Sequence, residues 1–286
     1  MRIISGIKQM SEFSQKIKCK GKTLGLIPTM GALHKGHLSL IRRARKENNA
    51  VAVSIFVNPI QFGPKEDFKK YPRNLSQDAK LCKKEGVDIV FYPDANQMYP
   101  ANFRTCVEVQ DLSDCLCGKS RPGHFKGVAT VVMKLFNIVN PDIAYFGQKD
   151  AQQAIIINRM VCDLNIPVKI KVMPTMRDKD GLALSSRNIY LNKEERKDAL
   201  VLPRSLNLAK DLIKAGTKDP GKIIHSIRCL IQSKKSAKID YMSIVDSNTL
   251  KPVKKITDNC LVALAVWIGK TRLIDNIIIS KGRFLS

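Results

Sequence analysis

Residues 28–37, PTMGALHKGH, follow the apolar run TLGLI (23–27) and precede LSLIRRARKEN (38–48). That order predicts a strand, a tight turn and a helix. Pro28 cannot donate a ladder hydrogen bond and Gly31 permits a turn, so the strand is expected to stop where the motif begins. His34 and His37 stand three apart, on one face of the helix's first turn, and Gly36 keeps side-chain bulk away from a ligand. A helix start offers unpaired N–H groups and a partial positive charge. Two imidazoles there add further donors, which suits the stretch to holding a polyphosphate. An HxxH spacing alone is more often two surface histidines beside a cap. The strand and turn in front of it favour the phosphate reading.

Outward from the motif, AVAVSIFV (50–57) is apolar on both faces, as a strand buried in a parallel sheet is. Strand, helix and strand within about 35 residues make a βαβ unit with a right-handed crossover. Ligands of such sheets bind beyond the carboxyl ends of the strands, where PTMG and NPIQF (58–62) both lie. The polar loop GPKEDFKKYPRN (63–74) leads to a predicted helix over LSQDAKLCKKEG (75–86) and a strand over VDIVFYP (87–93). A less regular section, 94–123, runs into SRPGHF (120–125). FKGVATVVMKLFNIVN (125–140) places Val128, Val131, Val132, Leu135 and Ile138 on one helical face. DIAYFG (142–147) reads as a strand, QKDAQQAIIINRMVCDL (148–164) as a helix and VKIKVMPT (168–175) as a strand, with GQKD forming a third loop at the same sheet edge. Upstream, SEFSQKIKCKGK (11–22) is amphipathic and is expected to form the first helix.

Regular periodicity lapses in MRDKDGLALSSRNIYL (176–191), which sets an expected domain boundary near residue 177. Helices predicted over 193–215 and 220–235, then strands at YMSIVD (241–246), CLVALAVWI (260–268) and IIIS (277–280), give an α+β arrangement in 178–286.

The 286 residues, 44% apolar and 26% charged, have an ordinary globular composition and can bury a substantial core. Net charge is +24, but the lysines are scattered and no basic block of five or six occurs, so nucleic acid is not expected as a partner. An anionic small substrate such as ATP would be steered by that field. The eight cysteines (19, 82, 106, 115, 117, 162, 229 and 260) are dispersed, and the opening MRIISGIKQMSEF lacks the apolar core of a secretory signal. Reduced thiols in a cytoplasmic protein are the expectation. Cys115 and Cys117 form a lone C-x-C without a second ligand pair, which argues against zinc. The longest apolar run, 260–268, is about half a membrane span and reads as a buried strand, so no membrane partner is expected.

Three polar loops, HKGH, GQKD (147–150) and LSSRN (184–188), supply imidazoles, a lysine, an arginine, hydroxyls and a carboxylate. That inventory suits a nucleoside triphosphate. Lys149 and Arg187 can offset phosphate charge, Ser185 and Ser186 can donate to phosphate oxygens, and Asp150 can accept from ribose hydroxyls. Each alone is more often a surface group or a cap.

PTMGALHKGH, SIFVNPIQF, YPR, SRPGHF, FGQKD, GLALSSRN and RLIDN together resemble the pantoate–β-alanine ligase (pantothenate synthetase) family. The likeness is dense through the first 190 residues and thinner afterwards until RLIDN. PTMGALHKGH and LSSRN also resemble the signature motifs of a wider class of adenylate-forming, nucleotidyl-transferring enzymes. The glutamines and NPIQF point to the one family.

The resemblance implies an α/β fold, a Rossmann-like parallel sheet with helices on both faces (1–177), plus a smaller α+β C-terminal domain (178–286) that closes over it, in a homodimer. It implies an ATP-dependent reaction in two steps, with Mg²⁺ accompanying the ATP. Pantoate and ATP give a pantoyl adenylate and pyrophosphate, and β-alanine then displaces AMP to give pantothenate. The implied catalytic residues are His34, His37, Lys149 and Arg187. ATP would be bound by Met30, Gly36, His37, Gly147, Lys149, Asp150, Met176, Leu184, Ser185, Ser186 and Arg187, and pantoate by Met30, Phe56, Gln61 and Gln153. Two positions depart from the family pattern: Gln148 stands where Glu is usual, and Ala151 where an aromatic is common. Asp78 lies where acidic residues linked to Mg²⁺ are often found, but Gln77 precedes it, and the metal ligands stay open. The rival readings are a related nucleotidyltransferase, against which Gln61 and Gln153 argue, and a basic RNA-associated protein without activity, against which the intact His34, His37, Lys149 and SSR set argues.

Overall fold

The computed structural model describes residues 1–64, 66–280 and 282–286. Two compact units divide the chain. The first comprises Met1–Asp114, Arg121–Gly147 and Ile156–Met173, and the second Cys115–Ser120, Gln148–Ile155 and Pro174–Ser286.

In chain order the elements are β1 (Arg2–Ile4), α1 (Ile7–Lys18), β2 (Leu24–Thr29), α2 (Lys35–Glu47), β3 (Ala50–Ile55), α3 (Leu75–Lys84), β4 (Ile89–Phe91), α4 (Ala95–Met98) and α5 (Cys117–Ser120). They continue as α6 (His124–Val139), β5 (Ile143–Gly147), α7 (Ala151–Asp163), β6 (Lys169–Met173), α8 (Lys193–Ala199), α9 (Val201–Lys214) and α10 (Pro220–Gln232). The last four strands are β7 (Ala237–Asp246), β8 (Cys260–Ile268), β9 (Thr271–Ser280) and β10 (Arg283–Leu285).

The first unit is built on a six-stranded sheet in the order β1-β4-β3-β2-β5-β6, with every pair parallel. Its central strands are buried on both faces, because βαβ crossovers lay helices over each side. One face packs Leu24, Leu26, Ala52 and Phe91 with Met10 of α1 and Val128, Val132 and Leu135 of α6. The other packs Ile27, Val51, Val53 and Val90 with Leu38, Ile41 and Ala44 of α2. Successive strands run to one side of β2 and then, with β5, to the other. The order therefore reverses between β2 and β5, and the crevice at their carboxyl ends is where such a sheet binds ligands.

Pro28 does not stop β2, which runs to Thr29 with Pro28 opposite Ser54 of β3. Pairing of β2 with β5 reaches only Leu26, so the missing N–H lies past the doubly paired part of the strand and is tolerated. β1, three residues parallel to β4 at the sheet edge, is too short to have shown a period, and α1 begins earlier than the amphipathic stretch suggested, at Ile7.

The second unit contains a four-stranded antiparallel sheet, β10-β9-β8-β7. Leu202, Leu206, Ile223, Ile227 and Ile231 of α9 and α10 pack with Ile244, Val262, Leu264 and Ile277 of the sheet. CLVALAVWI is strand β8, buried at every position but Trp267. Among the described residues no helix is long and apolar enough to cross a membrane.

Candidate active site

Between β2 and α2 the chain makes a turn with two consecutive residues in the left-handed region, Gly31 at φ 83° and Ala32 at φ 51°. A side chain at Gly31 would collide, since a Cβ there would lie 2.9 Å from Asp78 Oδ2 and 3.0 Å from Ile55 Cγ2. Ala32 carries real strain, because left-handed backbone costs an alanine roughly 1–2 kcal/mol. The buried carboxylate of Asp78 in α3 holds the turn in place, accepting from Ala32 N–H at 2.9 Å and Leu33 N–H at 2.8 Å. Burial pushes this carboxyl above its ordinary pKa, and the two N–H bonds offset only part of the shift.

The turn delivers His34 to the N-cap of α2 and His37 to its first turn, and the two imidazoles cap the helix reciprocally. His34 Nδ1 accepts from Gly36 N–H at 3.1 Å, and His37 Nδ1 accepts from His34 N–H at 3.3 Å. A backbone N–H can only donate, so both δ nitrogens are acceptors and each neutral ring carries its proton on Nε2. Two Nε2–H donors therefore stand at a positively polarised helix start.

After β3, residues Pro59–Gln61 form a single 3₁₀ turn that buries Gln61. Its amide is oriented from several sides. Asn58 Nδ2 donates to Gln61 Oε1 and to Gly127 O, both at 3.0 Å, while Tyr99 Oη donates to Asn58 Oδ1 at 2.8 Å. With Oε1 engaged, Nε2 is the outward donor, and it contacts Met30 Sδ at 3.2 Å. Phe56, also buried, opens the connection from β3 to this turn.

His124 braces the turn's backbone. Arg121 donates to His124 Nε2 at 2.9 Å, which leaves Nδ1–H to donate to Gln61 O at 2.8 Å. Arg121 in turn forms a two-pronged pair with Glu66, both contacts at 2.6 Å. Burial would raise the Glu66 pKa, but the guanidinium's hydrogen bonds and charge outweigh it and hold the carboxyl below its usual range. Gly127 admits the turn against α6: a Cβ there would fall 2.5 Å from Ile60 O and 2.7 Å from Gln61 Cα. At the end of β5, by contrast, a Cβ on Gly147 would meet nothing within 4 Å, so protein packing does not account for that glycine.

The remaining candidates belong to the second unit. Gln148–Asp150 make a 3₁₀ turn leading into α7, with Lys149 Nζ 4.0 Å from Asp150 Oδ2. Gln148 is buried and donates through Nε2 to Leu285 O at 2.8 Å, a bond that a carboxylate at this position could not make. Ala151 is buried at the start of α7. Gln153 is half-buried, while its neighbour Gln152 ties down the 115–117 segment, accepting from Cys117 N–H at 3.0 Å and donating to Cys115 O at 2.8 Å. Met176 and Leu184 are joined by Leu184 N–H donating to Met176 O at 2.9 Å. Ser185 caps the 3₁₀ turn Ser186–Tyr190, its Oγ accepting from Arg187 N–H at 3.3 Å.

The sequence motifs thus resolve into a histidine cap and a glutamine turn in the first unit, and a lysine turn and a serine-capped turn in the second. Sequence reasoning assigned no role to Asn58, Tyr99, Arg121, His124 or Gly127. Asn58 and His124 lie inside NPIQF and SRPGHF, so the signal was present without an indication of which side chain does what. Among the described residues no cluster of three or more His, Cys, Asp or Glu forms a metal cage, and both oxygens of Asp78 already hold the turn.

A profile of the family described as Pantoate-beta-alanine ligase matches residues 2–278. A pantothenate synthetase of Thermotoga neapolitana is 56% identical over 279 residues, covering 98% of this chain and 100% of its own. One of Caldicellulosiruptor saccharolyticus is 54% identical over 279 residues, covering 98% and 99%. The crystal structure of a pantothenate synthetase from Thermus thermophilus superposes with a TM-score of 0.92 at 41% identity, covering 98% of this chain and 100% of that one. A pantoate-beta-alanine ligase from Francisella tularensis, complexed with beta-gamma ATP and beta-alanine, gives a TM-score of 0.79 at 37% identity, with 97% of each chain covered.

A parallel α/β sheet with a histidine-capped helix at its switch point defines the class, an enzyme of the doubly wound kind with an anion-receptive helix start. Within that class, the chain belongs to the pantoate–β-alanine ligase family, and it ligates pantoate with β-alanine.

Proposed function

We propose that the ligation uses ATP and proceeds through a pantoyl adenylate. A pantoate carboxylate oxygen attacks the α-phosphorus, the bond to the bridging oxygen breaks, and pyrophosphate leaves. The β-alanine amine then attacks the acyl carbon, the acyl–oxygen bond breaks, AMP departs, and the amine gives up a proton to solvent. The observation that carries this reading is the pair of Nε2–H donors on His34 and His37, whose δ nitrogens are held by the backbone. Donors fixed before the substrate arrives stabilise charge on the phosphate as it is attacked, at no reorganisation cost. The ATP and β-alanine complex of the Francisella protein supports ATP as the nucleotide.

In the first unit, Gly36 and Gly147 take backbone close to the nucleotide, a role that the open space over Gly147 supports. Gln61 meets pantoate's hydroxyls and carboxylate through Nε2, and Met30 and Phe56 form the wall against its gem-dimethyl group. In the second, Lys149 meets phosphate, Asp150 meets ribose, Met176 and Leu184 line the nucleotide, and Gln153 holds pantoate. Ser185, Ser186 and Arg187 close on the β and γ phosphates. On this reading the sequence range 1–177, which includes the Gln148–Ile155 segment of the second unit, binds ATP and pantoate, and 178–286 act as the lid.

Mg²⁺ would accompany the ATP and would supply charge neutralisation at its phosphates, beside Lys149 and Arg187. A homodimer is supported by the family resemblance and is checked by light scattering. The cytoplasm is supported by eight dispersed cysteines, none of them in a disulfide.

The test is a product analysis with and without β-alanine. Pantoate and ATP alone are expected to give one enzyme equivalent of pyrophosphate and then stall, and β-alanine to release AMP in step with pantothenate. Formation of ADP and phosphate would overturn the adenylate.

A further inference from the structure

Two adjacent residues of β9, Asp275 and Asn276, are only 2% and 3% exposed, between the apolar pair Leu273 and Ile274 and the apolar run Ile277 to Ile279. They close the RLIDN motif, for which the proposed mechanism has no use. Successive residues of a strand point to opposite faces, so the pair reaches two different segments. Asp275 forms a two-pronged pair with Arg177, at 2.6 and 2.9 Å, and Arg177 also donates to Gly181 O at 3.1 Å inside the hairpin that carries Met176 and Leu184. Asn276 Nδ2 donates to Gln148 O at 2.9 Å and to Lys149 O at 3.0 Å. Two carbonyl acceptors fix which end of the amide is nitrogen. Asn276 Oδ1 is buried and has no partner among the described residues. Leaving Oδ1 unpaired costs desolvation, which the two bonds made by Nδ2 must offset.

We infer that Asn276 is a positioning residue for ATP: its amide pins the backbone of the Gln148–Asp150 turn and thereby aims the Lys149 ammonium. The inference rests on Lys149 as a phosphate ligand. The turn is a single 3₁₀ segment of three residues, and reorientation of its peptide planes would re-aim the lysine that it carries. Asn276 supplies the rigid attachment from the middle of a sheet.

A double-mutant cycle on the full-length enzyme tests this, with Asn276→Ala, Lys149→Ala and the two combined. Asn276→Ala is expected to raise the ATP KM about tenfold and leave the pantoate KM within about twofold. In the Lys149→Ala background the same change is expected to have no further effect on ATP, because its target is gone. Full additivity of the two effects, or equal rises in both KM values, would overturn the positioning role. A silent Lys149→Ala would instead overturn the phosphate assignment, whatever Asn276 does. If Asn276→Ala fails to fold, the nearly isosteric Asn276→Asp takes its place. It lacks the donor when ionised, and its ATP KM is expected to fall as the pH drops and the carboxyl regains an O–H; a KM without that pH dependence would overturn the inference.

Discussion

The His34 and His37 rings lie 4.1 Å apart, centroid to centroid, with their planes 36° from parallel. Each is turned by the bond its δ nitrogen accepts, so capping and the presentation of Nε2–H are one arrangement. The two roles separate by mutation. His34→Ala removes both and is expected to cost about 1 kcal/mol in stability as well as activity. In His34→Asn, Oδ1 can replace Nδ1 as the cap acceptor while the outer donor is lost. That variant is expected to keep the wild-type melting temperature yet release pyrophosphate at least about 100-fold more slowly. His37→Ala is expected to lose a similar factor. Near-wild-type pyrophosphate release by soluble His34→Asn and His37→Ala would remove both rings from the chemistry.

Gln61 and Gln153 are assigned to pantoate, and Gly127 gives a test of the first that leaves its side chain in place. A methyl group at Gly127 points into the backbone of Ile60 and Gln61, so Gly127→Ala must push the turn away from α6. It is expected to lower kcat/KM for pantoate about ten- to a hundredfold and to leave the ATP KM nearly unchanged. Gln61→Ala and Gln153→Ala are expected to show the same substrate bias in steady-state kinetics. Equal effects on ATP would mean that the pantoate assignment is misplaced.

Acid stability is expected to depend on Glu47 at the end of α2. Its hydrogen bonds with Lys171 and Tyr145, and then the nearby Arg43, lower its pKa from 4.5 to about 2 against an opposing desolvation effect. A folded-state pKa below the unfolded one means that this stabilisation is complete above about pH 4.5 and is lost as pH falls towards 2. The denaturation midpoint of Glu47→Gln should therefore lie below wild type at pH 7, with the gap closing across that window. A gap that stayed constant down to pH 2 would contradict the assignment.

The serine-capped turn is expected to respond to nucleotide. If Ser185, Ser186 and Arg187 close on the phosphates, amide exchange over 182–188 should slow by about tenfold or more with ATP and pantoate present. Closure would also shield the acyl adenylate from water until β-alanine arrives. Arg187→Ala is expected to slow adenylation and to lose part of that protection. Unchanged exchange in the wild-type enzyme would sink the lid.

The amino-acid sequence determined much of this protein on its own. Apolar runs at 23–27 and 50–57 around a proline- and glycine-bearing turn specify a βαβ unit, and CLVALAVWI specifies a buried strand. These are local matters of period and turn chemistry, and the family motifs are equally local in sequence. Only the tertiary structure decided which partners act at a distance. Asp78 is 46 residues from the Ala32 N–H that it holds, His124 is 63 from the Gln61 carbonyl, and Asn276 is 128 and 127 from the two carbonyls that it pins. No periodicity links such positions, because each is an isolated polar side chain whose partner is a backbone group brought near by folding. Even the histidine tautomers, set within one helical turn, required the geometry of a strained left-handed turn that the letters Gly31 and Ala32 permit but do not dictate.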